Sequence, residues 1–265
     1  MAAVFIGLSA LLRQCLFAAP LLVLLPALAV ANCQKTLRWA DDPPFSMRAE
    51  DGSVVGIYVD ANREVLERLG CEVRLRKLPW GRALKELEIG RLDILPGAFK
   101  RPEREVYAHF SGTILPPSRN ILFMHRLALA RWPISQLLAL QHSDFRLGAQ
   151  INVSYGADFE HLMRNQAWAE RVFMSANRLN LWRMMGKGRI DGVIADENTG
   201  AYEIHQLGLQ SEIKPSNVVV SSEAAEVAFS KKTTDSAFVQ AYADALRELV
   251  ASGSYARIVQ RYVRP

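Results

Sequence analysis

The chain predicts an α/β molecule of two lobes, each a mostly parallel sheet flanked by helices, with two crossings joining them. Three observations carry that expectation. Strand-like and helix-like stretches alternate from residue 36 onward, the rhythm of parallel sheets covered on both faces. The pattern Gly-Arg-apolar-Asp-strand occurs at 90–95 and again at 188–194, a weak internal echo about a hundred residues apart. At 265 residues the chain is too long for one minimal core and comfortable for two.

The elements follow in order. Residues 36–40 read as a strand, and the run Asp41-Asp42-Pro43-Pro44-Phe45 as a turn, with a second turn at Asp51-Gly52. Tyr58, Ala61, Val65 and Leu69 recur at helical spacing over 56–69, and Gly70 is placed to end that helix. Residues 73–78 predict the second strand, 80–87 the second helix, and 90–95 a turn feeding a third strand. The same order returns later: strand at 145–149, helix at 156–164 with Ser154 as its N-cap, strand at 172–175, helix at 179–185, strand near 192. Residues 120–125 and 217–230 are strand-like and are expected to cross between lobes, so that the helical 235–263 returns to the first. The boundaries expected are 32–122 with 220–265 for the first lobe and 123–219 for the second. A ligand would then lie in the crevice between them, beside the carboxyl ends of the strands.

The first 31 residues stand apart. Arg13 is the only charge before Lys35, and 15–31 is an apolar run ending in Ala29-Val30-Ala31, a small-x-small cleavage pattern. A signal peptide removed after Ala31 is the expectation. A membrane anchor fits less well, because the run is short, interrupted by Pro26, and followed by no basic cluster. Removal leaves Cys33 and Cys71 in an oxidising compartment, which suggests one disulfide. Each lies just before or at the start of a strand in one strand-helix-strand unit, and parallel strands begin at the same end of a sheet. Two free thiols are the lesser alternative, and two Cys without nearby His make no zinc set. The net charge of +5 is spread over scattered basic residues with no arm or stripe, which argues against a nucleic-acid partner.

In sequence, the PPF turn, the stretch GRLDILPGAFKRPER at 90–104, GAQINVSYG at 148–156 and GRIDGVIADEN at 188–198 resemble the bacterial extracellular solute-binding proteins of family 3. Each motif is loose, and their order and spacing carry the resemblance from about Leu37 to the C-terminus. It implies a type II-like periplasmic-binding-protein fold, and a monomeric periplasmic receptor that hands a small polar, amino-acid-like solute to an ABC-transporter permease, without cofactor or metal. Arg104, in Arg101-Pro102-Glu103-Arg104, matches the family's arginine that grips a ligand carboxylate through two parallel bonds. Its bland alternative is a surface ion pair with Glu103 or Glu105. Asp196 matches the aspartate that meets the ligand's ammonium group, and it is equally placed to cap the helix that follows. Ser154 lies in the segment that matches a second-lobe binding loop, with Asn152 where a glycine would supply a left-handed conformation. Phe45 and Trp80 are candidate walls of the cleft or core residues, and Arg82 is a weaker candidate.

Two departures from the family pattern bear on the ligand. Asp42 stands where many members have an aromatic platform, which favours a cationic or hydroxylated ligand. Phe99 stands where they have a hydroxyl, which removes one hydrogen bond from the carboxylate clamp. Two other functions remain open at this stage: a periplasmic dehydratase of the cyclohexadienyl type, with Glu197 as its acid, and a sensing partner of a signalling receptor. The sequence contains no nucleophile elbow, metal-ligand cluster or paired-carboxylate signature, and His125, His142, His161 and His205 read as surface residues.

Overall fold

The computed structural model describes residues 1–2, 33–151 and 153–263. The expected leader, its cleavage site and Asn152 lie outside the described residues. No described helix is long and apolar enough to cross a membrane.

The first lobe begins with β1 (Cys33–Trp39), whose Leu37 and Trp39 point into the core. A turn containing a cis Pro43–Pro44 bond leads to the small ribbon β2 (Met47–Arg48) and β3 (Val54–Val55). Helix α1 (Ile57–Arg68) buries Val59, Ala61, Val65 and Leu66, and Gly70, at φ 69°, closes its end as its position in the sequence predicts. Strand β4 (Cys71–Lys77), α2 (Trp80–Glu88) and β5 (Ile94–Ala98) complete the strand-helix-strand-helix-strand unit. The one-turn α3 (Pro102–Glu105), with Pro102 in its first turn, and β6 (Ala108–Phe110) follow.

The second lobe contains β7 (Ser118–His125), α4 (Arg126–Arg131), a 3₁₀ turn at Leu137–Leu140, β8 (Leu147–Gln150), α5 (Ala157–Met163) and α6 (Gln166–Ala169). It continues through β9 (Val172–Ser175), α7 (Arg178–Gly186), β10 (Gly192–Asp196), α8 (Glu197–Gln206) and β11 (Ile213–Glu223). The chain then returns to the first sheet as β12 (Glu226–Ser230) and ends in α9 (Ser236–Ala251) and α10 (Ser254–Tyr262). These last helices break at Gly253, which is left-handed, and pack on α1, where Tyr242 donates its hydroxyl proton to Asn62 Oδ1 at 2.7 Å.

The two sheets have the same plan. Their orders are β4-β1-β5-β12-β6 and β9-β8-β10-β7-β11. In each, three strands run parallel and the fourth is antiparallel to the third, so the sheets are mixed rather than wholly parallel. The antiparallel strands are those that adjoin the crossings. Those crossings are 111–117 and 224–225. Residues 118–122 and 220–223, expected in the first lobe, pair within the second sheet, because the hydrogen-bonded ladder of β7 with β10 and β11 extends that far.

Cys33 and Cys71 form a disulfide with Cα atoms 4.4 Å apart, directly opposite in the parallel register of β1 and β4. The repeated Gly-Arg-apolar-Asp turn has a structural meaning in both lobes. Asp93 accepts from the Thr36 backbone N–H (2.7 Å) and hydroxyl (2.8 Å), tying the approach to β5 onto β1. Asp191 accepts from the backbone and side chain of Arg146, tying the approach to β10 onto β8.

Two expectations are corrected. Ser154 caps no helix: α5 starts at Ala157 after Gly156, whose φ of 89° makes the turn, and Ser154 is exposed two residues earlier. His125 is buried rather than on the surface, accepting the Leu127 N–H at Nδ1 as the cap of α4, with Nε2 3.5 Å from Glu212. His142, His161 and His205 are exposed.

Candidate functional site: the interlobe cleft

The carboxyl ends of β5 and β10 face a cavity of about 270 Å³ lined from both lobes. The first lobe contributes Asp42 and Phe45 from the turn after β1, Tyr58 from α1, and Gly97 and Phe99 from the end of β5. The second contributes Asn120 on β7, Gln150 and Tyr155 around the end of β8, Arg178 at the start of α7, and Asp196 and Thr199 at the start of α8. The lobes also touch at the rim, where the Tyr202 hydroxyl lies 3.5 Å from Met47 Sδ.

Asp196 has two tasks in this geometry. Its Oδ1 accepts the Thr199 N–H (2.9 Å) and hydroxyl (3.1 Å), capping α8, and its Oδ2 accepts from Ser118 (2.8 Å) at the mouth of the first crossing. The carboxylate is therefore fixed in orientation while still lining the cleft. Asp42 is different. It is exposed on the face of the cleft, with protein crowded around it. Desolvation by that crowding raises its pKa, as do the nearby Asp196 and Glu203, against the pull of Arg38 and Arg178.

Phe45 stacks on Tyr58 with ring centroids 4.6 Å apart. The pair forms a wall shared with a second, more apolar cavity of about 380 Å³ behind the crossings, closed by Leu115, Pro116, Tyr255 and Val259. Burial, with Asp196 nearby, pushes the Tyr255 hydroxyl up to about 12, so it stays a proton donor at any physiological pH. Tyr58 is also raised, chiefly by burial. Gly97 is required beside it: φ is +76°, and a Cβ there would meet the Tyr58 ring at 2.7 Å.

The structure brings Asp42, Phe45, Phe99 and Asp196 to one cavity and leaves Arg104, Trp80 and Ser154 outside its lining. Arg104 donates from Nη1 to the Phe99 carbonyl at 2.7 Å, and its guanidinium lies 6.0 Å from the Trp80 ring centroid. Arg38 lies 5.5 Å from the same ring, so two cations approach Trp80 at the edge of the first-lobe core. Arg82 pairs with Glu86 at 2.7 Å along α2. Glu197, the acid of the dehydratase alternative, is held in a bidentate pair with Arg119.

Sequence reasoning missed Arg178. Its Nε and Nη2 donate to the two oxygens of Glu203 (2.7 and 2.8 Å), and its Nη1 donates to Gln150 Oε1 (2.8 Å). Glu203 also accepts the indole N–H of the fully buried Trp182 at 2.6 Å. Burial alone would weaken the guanidinium's hold on its proton, but the bonds and charge of Glu203 more than offset it. One signal in the sequence pointed there. Arg178 is the first residue of a helix, where the dipole disfavours a cation, so it needs an anionic partner. Among the described residues no group of His, Cys, Asp and Glu is arranged to hold a metal ion. The arrangement offers two carboxylates, amide and hydroxyl groups, and aromatic walls. That set can hold and orient a small polar solute.

Comparison with known proteins agrees with this architecture. Residues 38–265 match the family model described as bacterial extracellular solute-binding proteins, family 3. The L-cystine-binding protein TcyJ of Escherichia coli strain K12 is 23% identical over 164 residues, 58% of this chain and 55% of that protein. The chain thus spans about half the length of the curated relatives it matches. Among solved structures, an ancestral cationic amino acid solute-binding protein superposes with a TM-score of 0.71 at 17% identity, covering 88% of this chain and 96% of that one. The L-cystine solute receptor of Neisseria gonorrhoeae, in its unliganded open conformation, gives 0.70 at 17% identity, with 88% and 93% covered. At these identities the shared property is the two-lobed fold. With its mixed five-stranded sheets, its double crossing and a family match over nearly all of the described residues, the chain belongs to the bacterial extracellular solute-binding proteins, family 3.

Proposed function

We propose that the chain is the periplasmic substrate-binding protein of an ABC-type uptake system, binding a small polar, amino-acid-like solute between its lobes. The observation that carries this reading is the cavity of about 270 Å³ lined by charged groups from both lobes, Asp42 on one side and Asp196 and Arg178 on the other. A solute seated there contacts both halves only when they close. Its differential affinity therefore shifts the population toward the closed form, which docks on the permease. The disulfide of the first lobe fits an oxidising compartment reached after removal of residues 1–31. In this reading the protein acts as a monomeric carrier without cofactor or catalytic step, with Asp196, Asp42, Phe45 and Phe99 in contact with the solute.

A thermal-shift screen of the mature protein against amino acids, amines and organic acids tests it. A true ligand binds only the folded state and raises the midpoint in proportion to the logarithm of its concentration above Kd. Small-angle scattering of the loaded protein should then show a smaller radius of gyration. The absence of any stabilising solute at millimolar concentration, together with unchanged scattering, would remove the receptor reading.

A further inference from the structure

We propose that the cleft is built for a small dicationic amine, one ammonium group on Asp196 and the other on Asp42, with no requirement for a ligand carboxylate. This rests on the reading that the cleft holds the solute, and it narrows that solute to a chemical class.

The first support is the charge inventory of the cavity. Its charged lining is Asp42, Asp196 and Arg178. Arg178 is already neutralised by Glu203 and has all three of its guanidinium nitrogens engaged. Among the described residues neither Asp42 nor Asp196 forms an ion pair within 4 Å, which leaves two carboxylates facing the cleft without a bonded cation.

The second support is what faces a ligand anion. Arg178 is a closed fork, and Arg104, outside the lining, spends Nη1 on the Phe99 carbonyl beside Trp80. Phe99 puts a ring, not a hydroxyl, into the cavity. Within the lining a bound carboxylate would thus meet two like charges and no unpaired guanidinium, Arg38 and Arg104 lying outside it, and placing an anion beside two carboxylates is costly.

The third support is the wall itself. The stacked Phe45 and Tyr58 rings offer aromatic faces beside Asp42, a surface suited to a methylene spacer and to an ammonium group. The raised pKa of Asp42, due to desolvation and to Asp196 and Glu203, agrees with a carboxylate that gains from an added positive charge.

Isothermal titration calorimetry with 1,4-diaminobutane and 1,5-diaminopentane, each compared with ornithine, lysine and 5-aminopentanoate, tests the proposal. The diamines are expected to bind at least as tightly as the α-amino acids, and on the order of tenfold or more tighter than 5-aminopentanoate. Asp42→Asn is expected to weaken the diamines by a similar factor, with cooperative thermal unfolding retained because no hydrogen bond of the described fold uses that side chain. Ornithine or lysine binding tenfold tighter than either diamine, or diamine affinity unchanged in Asp42→Asn, overturns the ligand class while the cleft remains a solute site. No binding by any of these compounds, nor by the wider solute screen, overturns both readings.

Discussion

Replacing Glu203 with alanine tests how the second half of the cleft is held. Glu203 and Arg178 have side chains only 13% and 21% exposed, and the carboxylate also accepts the Trp182 indole N–H. Truncation leaves the guanidinium with a single amide partner and the indole N–H with none, in a place water reaches poorly. Removing one member of a buried pair typically costs about 3–5 kcal/mol, because the survivor remains desolvated and unpaired. The bonds at risk are short and join the first turn of α7 to α8, so the loss falls on the packing of those two helices. At roughly 2–4 °C per kcal/mol for a domain of this size, the unfolding midpoint should fall by about 10 °C. Urea unfolding followed by tryptophan fluorescence measures the difference, Trp182 being a local reporter. Glu203→Gln keeps an acceptor for the indole and should lose less. A loss below about 1 kcal/mol in Glu203→Ala would refute the reasoning, since it would place the pair among solvent-screened surface bridges.

Three further outcomes follow from the same structure. Replacing Cys33 and Cys71 with serine opens a loop of 38-residue separation, which on the chain-entropy model costs about 4 kcal/mol, read as a lower denaturant midpoint that reducing agent changes in the parent but not in the variant. Asp42 has a raised pKa through desolvation and its acidic neighbours, so its contribution to stability is present below the unfolded value and is lost as pH rises through the folded value. Asp42→Asn should therefore raise the melting midpoint of the unliganded protein near neutral pH, a gain that vanishes in strong acid in a pH series of melting curves. Gly200→Ala places a Cβ 2.3 Å from the Phe123 ring under α8, an overpacking expected to cost roughly 1–3 kcal/mol in urea unfolding.

Much of the fold is legible in the sequence because its signals are local. Gly70 ends α1 because a left-handed residue is needed there, and the helical spacing of Val65 and Leu69 precedes it within one turn. The disulfide is suggested by strand direction, which brings both sulfurs to one edge of the sheet, and the register of β1 on β4 then sets Cys33 opposite Cys71. The two Gly-Arg-apolar-Asp turns are legible as an echo, but their purpose is not. Asp93 and Asp191 serve the sheets, each fastening its own strand to the neighbouring one, whereas Asp196, five residues beyond Asp191, lines the cleft. The edges of the crossings were harder to see. Residues 118–125 and 213–223 are apolar and β-branched enough for a strand in either lobe, and only the pairing of β7 with both β10 and β11 assigns them.

The site divides along the same line. Asp42, Phe45, Phe99 and Asp196 are placed at the cleft by topology, since each follows or ends a strand whose carboxyl edge faces it. Arg104 also follows such a strand, yet its reach is a matter of side-chain conformation, and a sequence holds little information on which of several acceptors a long guanidinium will take. The carbonyl of Phe99 took it. Arg178 shows the converse case. Nothing in its immediate neighbours marks a binding residue, but a cation in the first turn of a helix contradicts the local preference. Such a conflict persists only where tertiary structure compensates it, here through Glu203 on the next helix. The cationic residue that looks free in the sequence is thus tied to a backbone carbonyl, and the other is spent on a carboxylate. With Arg178 paired to Glu203 and Arg104 outside the lining, a chain of net charge +5 still turns the carboxylates of Asp42 and Asp196 toward the cleft.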